Sequence, residues 1–288
     1  MSDTGSRSAL LRYIEGELSQ LPETHPGHPF VSRNRGRLSL HFDYLAIQSE
    51  MRLDTPEALA LGYTRTMMGF LLFQPQPAEI LMIGLGGGSL AKYCRRHLPA
   101  TRFTAIEVNP AILEFRQAFQ IPDDGPNFRV IIADGADYLR REVDRTADVL
   151  LLDGFDGHSP PPQLCTAEFY ADCHACLSDD GVLVANFWSG DRDSARHLAR
   201  LRECFAGQVL PIDACEPGNK IVFAGKGRDF PPAAERLLAR AVEPDPQHPI
   251  RLHATARKLL RQLRQMPVRS RESRADRAGC RTIPPSLC

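Results

Sequence analysis

The chain is predicted to be an α/β protein: a mostly parallel sheet covered by helices on both faces, with an antiparallel hairpin at one edge. Three observations point there. From residue 79 onward, strand-length apolar runs alternate with helix-length segments. Those runs are apolar throughout rather than at every second residue, as strands buried on both faces are. And the residues just after consecutive runs are glycines and acids, in the place where an open parallel sheet binds its ligands.

The elements follow in order. Residues 1–27 are weakly patterned apart from a helix-length stretch at 8–21. Residues 37–42 alternate polar and apolar side chains like a half-buried strand, and residues 45–49 can return as its hairpin partner. Thr55-Pro56-Glu57 has the signature of a helix start, with Thr55 as N-cap, and the helix is expected to run to Phe73, before Gln74-Pro75-Gln76-Pro77. Strands are then expected at 79–83, 102–108, 128–133, 147–152 and 181–187. Helices are expected from the glycine turn to 97 and at 110–120, 136–142 and 167–177. Segments 208–215 and 220–224 flank the turn Glu216-Pro217-Gly218-Asn219 and read as the edge hairpin. Residues 231–265 suggest one or two helices. The division expected is an N-terminal segment, 1–60, with a small β-hairpin region; a catalytic domain, 61–265; and a basic tail, 266–288, whose composition does not favour a fold.

Composition narrows the function. The chain has 288 residues, with 35 basic and 35 acidic side chains in balance. Zero net charge argues against binding nucleic acid or an anionic membrane through bulk charge. No apolar run approaches a bilayer span, and the N-terminus lacks a signal pattern. The 8 cysteines are too sparse for a disulfide scaffold, so they read as reduced thiols in a cytoplasmic protein. Cys173-His174-Ala175-Cys176 has no second ligand pair and lies inside a helix, so it reads as idle thiols rather than a metal or redox site. No metal site is expected.

The strand ends carry the chemistry. Gly84, Gly86 and Gly88 form G-x-G-x-G, a turn that lets backbone pass close under a ligand. Ser89 stands where a dinucleotide fingerprint would need glycine, and no G-K-S/T follows, so a pyrophosphate clamp is disfavoured. Glu107 lies at the separation expected of a ribose-hydroxyl acceptor. Asp134, followed by Gly135, is placed to accept from an adenine amino group. Together these residues describe a nucleoside pocket without a phosphate clamp, the pattern of S-adenosylmethionine and its derivatives. Each acid alone could equally be solvated or a helix cap. Asp153 and Asp156 follow a strongly apolar strand and suit a cationic amine substrate. Attack by an amine on a sulfonium carbon needs a group that takes the amine's proton, whereas the thioether leaves neutral and needs no acid. The loop at 157–162, with His158, is placed to fold over such a site. Trp188, after the fifth strand, reads as a packing residue.

These residues resemble those of the polyamine aminopropyltransferases, the spermidine synthases. The run Ile80-Leu81-Met82-Ile83-Gly84-Leu85-Gly86-Gly87-Gly88 is similar to that family's glycine loop. Glu107, Asp134-Gly135 and Asp153-Gly154-Phe155-Asp156 fall where it has its ribose acid, its adenine-binding Asp-Gly and its D-x-x-D motif. Phe169-Tyr170 and Ile47-Gln48-Ser49 are similar to two further family segments, so the resemblance spans about residues 36–225. It implies a methyltransferase-like Rossmann fold behind a small N-terminal β region. It implies Gly84, Gly86, Gly88, Glu107, Asp134 and Gly135 around the donor, Asp153 as proton acceptor, and Asp156, Tyr63 and Gln48 on the acceptor side. The co-substrate would be decarboxylated S-adenosylmethionine, or S-adenosylmethionine itself, with no permanently bound cofactor. The partner would be a small-molecule polyamine, and a homodimer is compatible with this reading. An S-adenosylmethionine-dependent methyltransferase of a small molecule is the alternative, and a silent binding protein the third. Three departures stand out: the glycine loop lacks the family's aspartate, Gly157 replaces a proline, and the N-terminal β region is short.

Overall fold

Two sheets organise the chain in a computed structural model that describes residues 28–42, 47–141, 146–154, 160–242 and 249–265. The first is antiparallel and has the order β1-β2-β3, with β1 Phe30–Asn34, β2 Arg37–His41 and β3 Ser49–Arg52. The hairpin expected at 37–49 is therefore part of a three-stranded sheet. β1 and β2 are joined through Arg35 and Gly36, both at positive φ (45° and 74°), a two-residue turn whose twist suits a hairpin. The return strand lies later than expected. Leu45 and Ala46 fall outside the described residues, and the pairing begins where the Gln48 amide donates to the Leu40 carbonyl.

The second sheet has seven strands in the order β6-β5-β4-β7-β8-β10-β9. Its members are β4 Glu79–Ile83, β5 Arg102–Glu107, β6 Phe128–Ile132, β7 Ala147–Leu152, β8 Leu177–Trp188, β9 Val209–Asp213 and β10 Asn219–Gly225. β4 to β8 run parallel, and β10 is antiparallel to both β8 and β9, which closes the edge as the sequence predicts. The chain steps from β4 outward through β5 and β6, then returns to β7 on the other side of β4. That reversal opens a crevice at the carboxyl ends of β4 and β7.

Side chains alternate across this sheet into two cores. Ile80 and Met82 of β4 and Val149 and Leu151 of β7 face one core, whereas Leu81, Ile83, Leu150 and Leu152 face the other. Leu40 and Met51 of the small sheet share the first core, so the two sheets are packed on one another through apolar side chains. Helices cover both faces. They are α1 Gly62–Met67, α2 Ser89–His97, α3 Gly135–Arg141, α4 Ala167–Ala175, α5 Ser194–Cys204, α6 Ala234–Val242 and α7 Leu252–Gln265. No helix among the described residues is long and apolar enough to cross a membrane.

Three expectations are corrected here. Thr55 does not cap a helix. Residues 55–58 form a turn, 59–61 lead on without regular structure, and α1 begins at Gly62, continuing as a 3-10 segment over Met68–Leu72. The reason is that Arg65 reaches back to the Leu59 and Ala60 carbonyls (2.7 and 2.8 Å), and Thr64 Oγ1 donates to Leu61, fixing the entry segment in extended form. The segment at 110–120 is helical only as a 3-10 turn over Pro110–Phe115, capped by Asn109. Helix α5 has no counterpart in the sequence reading. The stretch 8–21 and the tail 266–288 lie outside the described residues.

Candidate active site

A cavity of about 460 Å³ opens at the carboxyl ends of β4, β5, β7 and β8, over the crevice where the strand order reverses. The small sheet, α1 and the β9–β10 turn close its other side. Its wall carries the carboxylates of Glu107, Asp134, Asp153 and Glu216, and among the described residues no lysine, arginine or histidine lines it. Such a wall favours cations and disfavours phosphates.

The glycine loop is built by close backbone contact. Gly84 has φ +89°, and a Cβ there would overlap the Asp153 carbonyl, so β4 and β7 meet at their ends as only glycine allows. Gly84 and Gly86 line the cavity. Gly88 does not: it lies behind the wall at φ +68°, heading α2, and a Cβ would sit 2.6 Å from Ile121 Cγ1. Its left-handed backbone and its packing against Ile121 each call for glycine. Gly87 is closed as well. A Cβ there would lie 2.7 Å from Ser49 Oγ and 2.8 Å from the Phe119 ring, so the space beside Gly87 is filled from outside the loop.

Glu107 is buried at the end of β5, with one oxygen accepting from the Leu85 amide (2.8 Å) and the other from the Asn109 amide (2.9 Å). It therefore braces the glycine loop, and each oxygen retains a lone pair for a ligand. Asp134 caps α3. Its Oδ1 accepts from the Ala136 and Asp137 amides, and Oδ2 accepts from Gln163 Nε2 at 3.1 Å. Partial burial opposes its charge, but these amides and Gln163, with Arg140 nearby, more than offset that and hold its pKa below the ordinary value. Gly135 lines the cavity and lies against Ile83, with no room for a side chain.

Asp153 sits at the end of β7 with one donor on each oxygen. Tyr63 of α1 donates its hydroxyl to Oδ2 (3.1 Å), and Asn186 of β8 donates its amide to Oδ1 (2.9 Å). Burial raises the Asp153 pKa, and the bonds from Asn186 and Tyr63 only partly counter it. The result is a carboxylate whose proton affinity exceeds that of an exposed aspartate. Burial, with the adjacent Asp153 charge, also holds Tyr63 well above its ordinary pKa, so it remains a donor.

Thus the structure brings Gly84, Gly86, Glu107, Asp134, Gly135, Asp153, Tyr63 and Gln48 to one cavity. Asp156 and His158 lie outside the described residues. Trp188, read as a packing residue, is 38% exposed on the cavity wall. Asn186, Gln163, Glu216 and Asn219 were not anticipated. Asn186 was findable, since it stands at the carboxyl end of a predicted strand like the acids that were singled out. Cys173 and Cys176 are buried and clear of the cavity, and burial pushes the Cys176 thiol up to about 12, so neither is a ready nucleophile.

Residues 60–217 match the model of the spermine/spermidine synthase domain. A polyamine aminopropyltransferase of Chromobacterium violaceum is 39% identical over 233 residues, covering 81% of this chain and 87% of that one. Among solved structures, a probable spermidine synthase from Corynebacterium glutamicum superposes with a TM-score of 0.61 at 20% identity, covering 75% of this chain and 84% of the other. Human methyltransferase-like protein 13 superposes with a TM-score of 0.57 at 24% identity, covering 72% and 95%. Those two likenesses establish the methyltransferase-like fold.

Proposed function

The chain belongs to the spermine/spermidine synthase family and is a polyamine aminopropyltransferase, and on that premise we propose how its cavity does the chemistry. The donor is decarboxylated S-adenosylmethionine and the acceptor a small di- or polyamine. Glu107 takes the ribose hydroxyls. Asp134, with Gln163 beside it, takes the adenine amino group. Gly84 and Gly86 let the backbone pass under the nucleoside, and Gly135 keeps the floor free of side chains. The acceptor approaches from the side of Gln48 and Tyr63, and Asp156 binds its amine.

The acceptor nitrogen must lose a proton to become a nucleophile. Asp153 receives it. The nitrogen lone pair then forms the new C–N bond to the carbon beside the sulfonium. The C–S pair returns to sulfur, and methylthioadenosine leaves as a neutral thioether. A buried carboxylate with raised proton affinity is a better base for this step than an exposed one, and its two donors hold it in line. The observation that carries the reading is the wall: four carboxylates and no cation among its described residues suit a sulfonium donor and an ammonium acceptor together.

The test is direct. Purified protein is supplied with decarboxylated S-adenosylmethionine and a panel of diamines and triamines, with S-adenosylmethionine in parallel. Methylthioadenosine release that depends on an amine supports the reading. No release with any amine, or release of S-adenosylhomocysteine instead, overturns it.

A further inference from the structure

We propose that the turn at 216–219, the tip of the β9–β10 hairpin, positions Asp153 through two relays, one to each carboxylate oxygen. The proposal rests on the reading of Asp153 as proton acceptor. It adds two residues, Glu216 and Asn219, that neither motif nor strand-end logic singles out.

The first relay runs through α1. Glu216 Oε2 accepts from the Gly62 amide at 3.0 Å, and Oε1 accepts from Arg65 at 2.8 Å. The residue before the helix, Leu61, offers no side-chain cap, so the opening amide of α1 is held by a carboxylate from a distant hairpin. The contact is tight: a Cβ on Gly62 would lie 2.7 Å from Glu216 Cδ. The next residue is Tyr63, whose hydroxyl reaches Asp153 Oδ2. Cys215 reinforces the join, its amide donating to Thr66 Oγ1 at 3.1 Å.

The second relay runs through β8. Asn219 Nδ2 donates to Asn186 Oδ1 at 3.0 Å, which leaves the Asn186 amide nitrogen pointing at Asp153 Oδ1. An amide can turn either face forward, and Asn219 decides which face this one presents. Asp153, Tyr63, Gly62, Glu216, the turn, Asn219 and Asn186 therefore make a closed ring. All four turn residues also line the cavity, so an acceptor lying against the turn bears on both relays.

The readout is the titration of the Asp153 carboxyl, followed by carbon NMR on aspartate-labelled protein and assigned by its disappearance in Asp153→Asn. Among the described residues Asn186 and Tyr63 donate to that carboxylate and hold it down against burial, and the other charged groups on the same wall are Glu107, Asp134 and Glu216, the last paired with Arg65. Losing either donor moves the titration to higher pH. Glu216→Ala and Asn219→Ala should each do so. Asn219→Asp should do so more strongly, because Asn186 must then turn its amide nitrogen toward the new acid and its carbonyl toward Asp153. Glu216→Gln, which can still accept from Gly62, should keep most of the wild-type value. Glu216→Ala should add little to Tyr63→Phe, whereas Asn219→Ala should add fully. Lys220→Ala, on the same hairpin but outside the ring, should change nothing. In turnover, kcat/KM should fall by up to about 10²-fold, as misplacement of a reacting group does. Wild-type titration in Glu216→Ala and Asn219→Ala overturns the proposal, as does full additivity of Glu216→Ala with Tyr63→Phe. A shifted titration with unchanged turnover keeps the positioning ring and overturns Asp153 as the proton acceptor instead.

Discussion

Replacing Gly87 by aspartate would put an acid into a glycine loop that has none. The structure predicts that it does not add a donor contact and that it loosens the fold. The obstruction begins at Cβ, which would stand 2.7 Å from Ser49 Oγ and 2.8 Å from two carbons of the Phe119 ring. Phe119 cannot swing away easily. It is fully buried, and its carbonyl is held by the buried Lys92 ammonium at 2.7 Å. Ser49 is itself in β3 and faces Ser89 Oγ at 3.4 Å. Forcing atoms into such a packed site costs about 1–3 kcal/mol. For a chain of this size that lowers Tm by roughly 2–4 °C per kcal/mol. Calorimetry should therefore find Gly87→Ala and Gly87→Asp lowered alike by about 2–12 °C. Initial rates of methylthioadenosine release should show no fall in the donor KM. Phe119→Leu should relieve part of the loss when combined with Gly87→Asp, because the two sites share one space. A Gly87→Ala protein with the wild-type Tm, or a Gly87→Asp protein that binds the decarboxylated donor more tightly, would refute the argument.

Further outcomes follow from the same geometry. Asp153→Asn should cut kcat by about 10²- to 10⁴-fold, the usual contribution of a general base. It should also raise Tm at neutral pH. The folded Asp153 pKa lies above its unfolded value, so this group's contribution to stability is present at acid pH and is lost as pH rises through the folded pKa; asparagine removes that loss. For the same reason kcat/KM in the wild type should fall on the acid side as Asp153 takes up its proton, at a pH above that of an exposed carboxylate. Glu107→Gln should raise the donor KM more than it lowers kcat. It should also cost about 1–2 kcal/mol in urea unfolding, because a charged acceptor of two loop amides is lost. Lys92 is pushed down by burial to about 8, below its unfolded value, so wild-type stability should rise as pH goes from about 8 toward 10.5, and Lys92→Met should flatten that rise.

What was legible in the sequence follows from which forces are local. β4 to β8 were readable because strands covered on both faces must be apolar throughout, and Leu150, Leu151 and Leu152 have no other use. Glu107, Asp134 and Asp153 were readable because each closes such a strand, and topology alone brings strand ends together. The start of α1 was not readable. Thr55-Pro56-Glu57 carries every local sign of a helix, yet Arg65 spends its donors on Leu59 and Ala60, and the true start is held by Glu216, far away in sequence. Gly88 looked like its neighbours, and nothing local shows that a side chain there would run into Ile121. Helix α5 was missed because its surface is largely polar, with only His197 and Leu201 buried. Glu216 and Asn219 stood in a recognised turn, and only the three-dimensional meeting of that turn with α1 and β8 gives them a part.

The 3-10 segment that continues α1 is gripped at its far end too. Arg240 of α6 donates to the Leu72 and Phe73 carbonyls at 2.8 Å each, and Gly69 lies hard against Thr255 of α7. The rod carrying Tyr63 is thus a lintel resting on two posts, one at the hairpin and one at the chain's last helices. A shortened protein ending after β10 would keep every described strand and every acid of the cavity, yet the lintel would hang from one side. Its loss of turnover would then measure how far the outermost helices steady the catalytic centre.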